Sequence, residues 1–220
     1  MHQIRPPFLE LSFYWQNQSN YYSFHNLVAY LLANGAEAEG PIEDGPATGM
    51  YKTLLRHVTG TTGRSEIVSS LYLITPEAAK NDWCPIAIWT EGEIFCWPEP
   101  TKKQRLAARS TGKAVAKKFL QICDALNPDY ASINVEYGLQ CLTDLKANPS
   151  SCAFKDFYLR RNFVGSQKLE RILNCCAGSY RKDLEDGIYI SSSGDFNPAK
   201  INVDGTNACC DAARILTERS

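Results

Sequence analysis

The segment 102–126 constrains the fold of this chain more than any other stretch. Thr101-x-x-Gln104 ahead of it is a capping box, in which the threonine side chain and the glutamine three residues on satisfy each other's backbone N–H groups. Asn127-Pro128 closes it. Val115, Phe119, Ile122 and Leu126 recur at helical spacing and predict a buried stripe. A long helix is therefore expected over 102–126, packed by that stripe against a core.

The same segment is strongly basic. Lys102, Lys103, Arg105, Arg109, Lys113, Lys117 and Lys118 precede its first acid, Asp124. Arg105, Arg109, Lys113 and Lys117 fall four residues apart and form a ridge, although like charges at that spacing cost a few tenths of a kcal/mol per pair. Two readings are open. One is a solvated helix face balanced by acids elsewhere in the chain. The other is a docking surface for an acidic partner, protein or nucleic acid. Nucleic acid is the weaker choice, because the pI is near 6.3 and no aromatics interleave with the stripe.

Around this helix the pattern mixes strands and helices without a regular β-α-β rhythm, which favours α+β over a doubly wound sheet. Residues 8–15 (FLELSFYW) read as an aromatic strand. A helix over 20–34 follows, with Phe24, Leu27, Val28 and Leu31 on one face, Ser19 or Asn20 as cap and Gly35 as stop. Residues 37–49 read as a polar surface loop, 50–58 is ambiguous, 60–63 is a turn, and 66–74 is a strand. Thr75-Pro76 starts a short helix to about 81. Residues 84–90 and 93–97 flank Glu91-Gly92 as a hairpin. Strands are expected at 130–137 and 187–192, another strand or an extended segment at 152–164, and helices at 166–176 and 206–217. The expected whole is a single domain of 220 residues, a mostly antiparallel sheet packed against several helices. No apolar run approaches ~18 residues, the length of a membrane-spanning helix, and the N-terminus lacks the apolar core of a signal peptide. Cytoplasmic residence is expected.

The nine cysteines are odd in number, and their close pairs, Cys175-Cys176 and Cys209-Cys210, are adjacent rather than two to four apart. Buried free thiols are expected, not a disulfide framework or a zinc site. Of the three histidines, His25 and His57 lie on patterned segments where a structural role is commoner than general-base work. Gly60 to Arg64, Ser191 to Asp195 and the pair Glu91/Glu93 offer turn chemistry but no assembled catalytic constellation. No cofactor is expected.

Net charge is −1, but residues 1–100 carry −6 and residues 101–220 carry +5. Glu37, Glu39, Glu43 and Asp44 gather on the expected loop, either as a solubilising stretch or as a contact surface for a basic ligand. Tyr21 and Tyr22 are the expected exposed aromatic pair, a type enriched at binding hot spots.

The C-terminal stretch, Gly187-Ile-Tyr-Ile-Ser-Ser-Ser-Gly-Asp-Phe-Asn-Pro198 followed by the helix through Ala212-Ala213-Arg214-Ile215-Leu216, resembles the ending of bacterial immunity proteins from polymorphic-toxin systems. There a terminal strand leads into a Phe-(Asn/Asp)-Pro turn and a closing helix. The early strand carrying Tyr14-Trp15 and the long helix ending at Asn127-Pro128 are compatible with that layout. The resemblance implies a non-enzymatic protein that binds a cognate toxin and occludes it, and it assigns no binding residues. Two other classes stay open on the residues alone: an enzyme or small-ligand protein with an unfamiliar site, and a nucleic-acid adaptor using the basic helix.

Overall fold

A computed structural model of the chain describes residues 7–38, 43–45, 50–62, 65–74, 85–96, 99–136, 139–151, 154–192, 194, 196 and 206–218. The strands are β1 (Phe8–Tyr14), β2 (Ala36–Ala38), β3 (Glu43–Gly45), β4 (Met50–Thr62), β5 (Ser65–Ile74), β6 (Ile86–Glu91), β7 (Tyr130–Val135), β8 (Asp156–Arg160), β9 (Tyr180–Asp183) and β10 (Gly187–Ser191). The helices are α1 (Asn20–Ala33), α2 (Lys102–Leu126), α3 (Leu142–Ala147), α4 (Arg161–Val164), α5 (Ser166–Cys175) and α6 (Thr206–Thr217). The strands join in one sheet of order β2-β4-β5-β6-β1-β7-β8-β10-β9, with β3 beside β4. Each described pairing is antiparallel. The α+β class and the antiparallel sheet follow as expected.

Side-chain alternation assigns the two faces. On one, Leu9, Leu11 and Phe13 of β1 and Ile86 and Ile88 of β6 pack with Phe24, Leu27, Val28 and Leu31 of α1 and with Phe119, Leu120 and Ile122 of α2. On the other, Tyr14, Tyr130, Phe157, Leu159, Ile188 and Ile190 meet Leu145 of α3, Val164 of α4, Leu169 and Ile172 of α5, and Ala212, Ala213, Ile215 and Leu216 of α6. The central strands β1, β7, β8 and β10 are thus covered on both faces, which is why polar residues on both of their phases end up buried.

Helix ends follow the chemistry of their termini. The Ser19 hydroxyl accepts from Tyr22 N at 3.2 Å, and Gly35 takes the left-handed φ of +88° just past α1. Both halves of the Thr101–Gln104 capping box are formed. Asn127 adopts φ +46° and stops α2, while the Trp15 indole donates to the Leu126 carbonyl at 3.0 Å. The Arg181 guanidinium reaches back to the carbonyls of Leu173 and Cys176 at the end of α5.

The structure departs from the sequence reading at several places. The buried stripe of α2 runs through Ala108, Gly112, Ala116, Phe119, Leu120, Ile122 and Cys123, with Val115 and Leu126 only half-buried beside it. Small side chains in its first half let the helix approach the core, a signal that large hydrophobes alone do not carry. The 37–49 segment is not all loop: Glu37 sits in β2, and Glu43 and Asp44 in β3, both paired with β4. Residues 50–62 form one strand, whose register breaks between Val58 and Thr61, so Gly60 belongs to a bulge rather than a turn. The expected hairpin at Glu91-Gly92 does not form. Strand β6 lies between β5 and β1, and Glu93–Phe95 is a single 3-10 turn. Gly92 is needed there for another reason: its N–H donates to the Pro7 carbonyl at 2.8 Å, and a Cβ would lie 2.7 Å from Leu9 N. Residues 152–164 supply a strand only over β8 before α4 begins. Strand β9, exposed along its whole length, carries no hydrophobic alternation and was not expected. The helix expected after Thr75-Pro76 lies outside the described residues.

Candidate functional site

The longest helix presents the most distinctive surface. Arg105, Arg109, Lys113 and Lys117 are all exposed on α2, as are Lys102 and Lys103. A four-residue row advances around a helix by roughly 40° per step, so the ridge winds from the N-terminal end onto the outer flank. Arg105 donates to the Pro100 carbonyl at 2.7 Å. Among the described residues no ion pair involves any of the four; the pairs present join Arg160 to Asp129, Arg161 to Asp183, Arg171 to Glu218 and Arg214 to Asp211.

Helix α1 lies in the same layer and carries no acid and no lysine or arginine. The two helices therefore hold seven bases and one acid, a net +6 on a chain whose total is −1. Lys118 joins them by resting over the Tyr30 ring, 5.7 Å from its centroid. Burial lowers the Lys118 pKa and raises that of Tyr30, the latter with help from Asp124. Of the five large hydrophobic side chains that are exposed among the described residues, four belong to this layer: Tyr21, Tyr22 and Leu32 on α1, and Leu106 on α2. Tyr21 leans on His25 at 4.3 Å between centroids. The basic ridge and the tyrosine pair, read separately from sequence, thus lie in one helical layer.

The acidic set is placed elsewhere and is divided. Glu37 is exposed in β2, opposite Arg56 in the register; Glu43 stands opposite Lys52 and Asp44 opposite Tyr51. Glu39 lies outside the described residues. This register sets acids across from bases at two of three positions.

Sequence reasoning missed a buried polar cluster on the opposite face of the sheet. Glu10 and Ser12 of β1 pair across the strands with Asn134 and Ser132 of β7, and Glu10 also faces Trp89 of β6. The Glu10 carboxylate accepts from the Ser12 hydroxyl, from Trp89 Nε1 at 2.8 Å and from the Leu139 backbone. It is 8% exposed, and burial raises its pKa more than these three donors lower it. Asn134 Nδ2 donates to Ser132 Oγ at 2.7 Å. On the α1–α2 side, Asp156 accepts from the Ser191 hydroxyl and from Tyr189 OH at 3.1 Å. Ser191, inside the strand expected over 187–192, is thus a buried strand residue and not part of a polar turn. Asp129 accepts from Gln16 N at 2.6 Å and from the Arg160 guanidinium, and burial raises its pKa. These carboxylates are satisfied anchors of the sheet. The available signal was the polar phase of FLELSFY and YASINV, which reads as solvent-facing unless a second helical layer covers it.

Among the described residues no group of three or more His, Cys, Asp and Glu is arranged to hold a metal ion. Cys123, Cys141 and Cys176 are buried, Cys175 and Cys210 are half-buried, and Cys96 is exposed. Burial pushes Cys176 up to about 11 and Cys123 well above the ordinary thiol range. At Cys176 burial and the neighbouring Cys175 outweigh the Arg181 guanidinium, which acts in the opposite direction. No described helix is long and apolar enough to cross a membrane.

Fold and surface together define an antiparallel α+β protein that displays a cationic, aromatic helical layer. Comparison with known proteins adds no relative: no family model, curated protein or solved structure matches the chain.

Proposed function

We propose that this is a non-enzymatic binding protein, an immunity protein that neutralises a cognate toxin by docking its α1–α2 layer onto an acidic surface of that toxin. The observation that carries the reading is the ridge of Arg105, Arg109, Lys113 and Lys117, without ion-pair partners among the described residues, with Leu106 exposed on the same helix and the Tyr21–Tyr22 pair exposed in the same helical layer. A ridge of like charges costs the helix stability, and an acidic partner would convert that cost into complementarity. Arginine and tyrosine are also the side chains that contribute most at interface centres. The C-terminal resemblance supports the same reading: strand β10 leads to buried Phe196, which packs edge-on against Phe95 at 5.3 Å, before α6 packs on the opposite face of the sheet.

The test is size-exclusion chromatography of the protein with the product of any toxin gene adjacent to its own. A complex at micromolar concentration that is lost on reversing Arg105, Arg109, Lys113 and Lys117 to glutamate supports the reading. The absence of a complex overturns it. So does tight, steeply salt-dependent binding to RNA or DNA, which would make the ridge a nucleic-acid surface.

A further inference from the structure

Among the described residues β9 is the terminal strand of the sheet, with β10 on its one paired side. All four of its residues, Tyr180, Arg181, Lys182 and Asp183, are exposed. The hairpin joining it to β10 fixes which backbone groups point outward. Leu184 N donates to the Gly187 carbonyl at 3.0 Å, and in an antiparallel pair such bonded positions alternate with non-bonded ones. Lys182 opposite Tyr189 and Tyr180 opposite Ser191 are therefore the bonded positions. Arg181 and Asp183 turn their N–H and C=O groups away from β10, to the open edge.

The side chains divide between the two faces. Arg181 reaches the Leu173 and Cys176 carbonyls, and Asp183 pairs with Arg161, on the α4–α5 side. Tyr180 and Lys182 lie on the α2 side: the Tyr180 ring meets Tyr189 edge-on at 6.4 Å, and Tyr189 meets Phe119 of α2 at 6.0 Å. Tyr180 is 41% exposed, and Lys182 has no ion pair among the described residues. The cationic ridge looks toward this edge. Helix α1 packs over β2 and β6, and α2 over β7, and Lys118 over Tyr30 marks the flank of α2 that faces α1. At about 100° per residue, Arg109 projects roughly 180° from Lys118, and Arg105 and Lys113 roughly 140°. The ridge thus begins over the half of the sheet that ends in β9.

We propose that β9 takes up an extended acidic segment of the protein partner as an added strand. The segment bonds to the outward backbone groups of Arg181 and Asp183, and an acid on its α2-facing side meets Lys182 with the ridge behind it. The edge selects for such a partner. A second copy of β9, laid antiparallel with Arg181 opposite Asp183, sets Lys182 against Lys182, and like charges directly opposite destabilise a pairing. A short strand bearing a lysine also resists indiscriminate pairing.

The probe is a blocked heptapeptide alternating valine and glutamate, titrated into the ¹⁵N-labelled full chain, with its lysine-for-glutamate counterpart as control. In the free chain the amides of Arg181 and Asp183 should exchange quickly with solvent and those of Tyr180 and Lys182 slowly. The acidic peptide should bind saturably, protect Arg181 and Asp183, and confine its shifts to β9, β10 and the facing flank of α2; the basic peptide should not. Lys182→Glu should weaken capture by about tenfold, an exposed attraction becoming a repulsion. Asp183→Pro removes an outward N–H, which an edge strand tolerates, and should weaken capture by about as much, while Asp183→Ala retains it. No saturation at millimolar acidic peptide, equal binding of the basic peptide, unchanged capture by Lys182→Glu, or slow exchange of Arg181 and Asp183 in the free chain, the sign of an edge already paired, would each overturn the proposal. The identity of the partner rests on the docking reading, but peptide capture does not. Peptide binding without a toxin complex removes that reading and keeps β9 as a site, and a toxin complex without peptide binding does the reverse.

Discussion

Glu10 lets the buried polar cluster be tested by pH. Its carboxyl sits on the central strand β1, 8% exposed, and its pKa is raised above 4.5 chiefly by burial. The folded state therefore holds the Glu10 proton more tightly than the unfolded state does. Where the unfolded chain binds fewer protons than the native one, stability falls as pH rises. Glu10 thus contributes stability that is fully present below about 4.5 and is lost as pH climbs through the higher folded value. Glu10→Gln removes that titration but changes the hydrogen bonding. The carboxylate takes three donors, from Ser12, Trp89 and Leu139. A glutamine offers one oxygen, and its amide N–H₂ then faces a group that also donates. One buried donor left unmatched costs about 1–3 kcal/mol, so the variant should be destabilised by up to that amount below the folded pKa, where wild-type Glu10 is protonated. Above the folded pKa the wild type carries the cost of its buried charge, and the gap should narrow. Urea denaturation of both proteins from pH 4 to pH 8 measures this, read as the difference between the two curves so that Asp129, whose pKa is also raised by burial, cancels. A gap that is constant across that range, or that widens with rising pH, refutes the argument that desolvation dominates at Glu10.

Gly187→Ala should destabilise by about 1–3 kcal/mol, the usual cost of overpacking, because a Cβ there would stand 2.2–2.4 Å from the Tyr158 ring and hydroxyl; chemical denaturation gives the value. Thr101→Ala breaks the capping box ahead of α2 and should cost about 1 kcal/mol, also by denaturation, with the amides of the first turn losing exchange protection first. Under native conditions a maleimide should label exposed Cys96 rapidly and spare buried Cys123 and Cys176, as mass spectrometry of the digest would show; labelling of Cys123 at the rate of Cys96 would contradict the packing of α2.

Where one face of an element met the core, periodicity revealed it. The bounds of α1 and α2, the strands at Phe8–Tyr14 and Gly187–Ser191, and the closing helix all follow from apolar spacing and caps. The misreadings share a cause: tertiary packing overrode a local signal. Glu91-Gly92 has the composition of a hairpin turn, yet β6 finds partners on both sides in β5 and β1, and the glycine serves a close backbone approach. Ser12, Ser132 and Asp156 look solvent-facing in an alternating strand, but the central strands are covered on both sides and each hydroxyl or carboxylate is matched there. Ala108, Gly112 and Ala116 form a buried row that a search for large hydrophobes passes over. For the candidate surface, the charged row of α2 was legible as a ridge. Its union with Tyr21 and Tyr22 was not, because that depends on α1 and α2 sharing one face of the sheet.

The ridge also allows folding and function to be separated, since the two place opposite demands on the same four side chains. Along α2 the pairs 105/109, 109/113 and 113/117 are like-charged, exposed and without ion-pair partners among the described residues. Replacing Arg109 and Lys117 by glutamate turns all three repulsions into attractions. Each attraction is worth about 0.2–0.5 kcal/mol and each repulsion costs a similar amount, so three reversals should stabilise the fold by about 1–3 kcal/mol. Nothing in the core opposes this, because the buried stripe of α2 lies on other residues. A variant that gains stability in urea while losing its toxin partner would show that the native spacing is retained against the interest of the fold. A variant that gains no stability would mean the ridge is already neutralised within the folded molecule, which removes the physical ground for reading it as a docking surface.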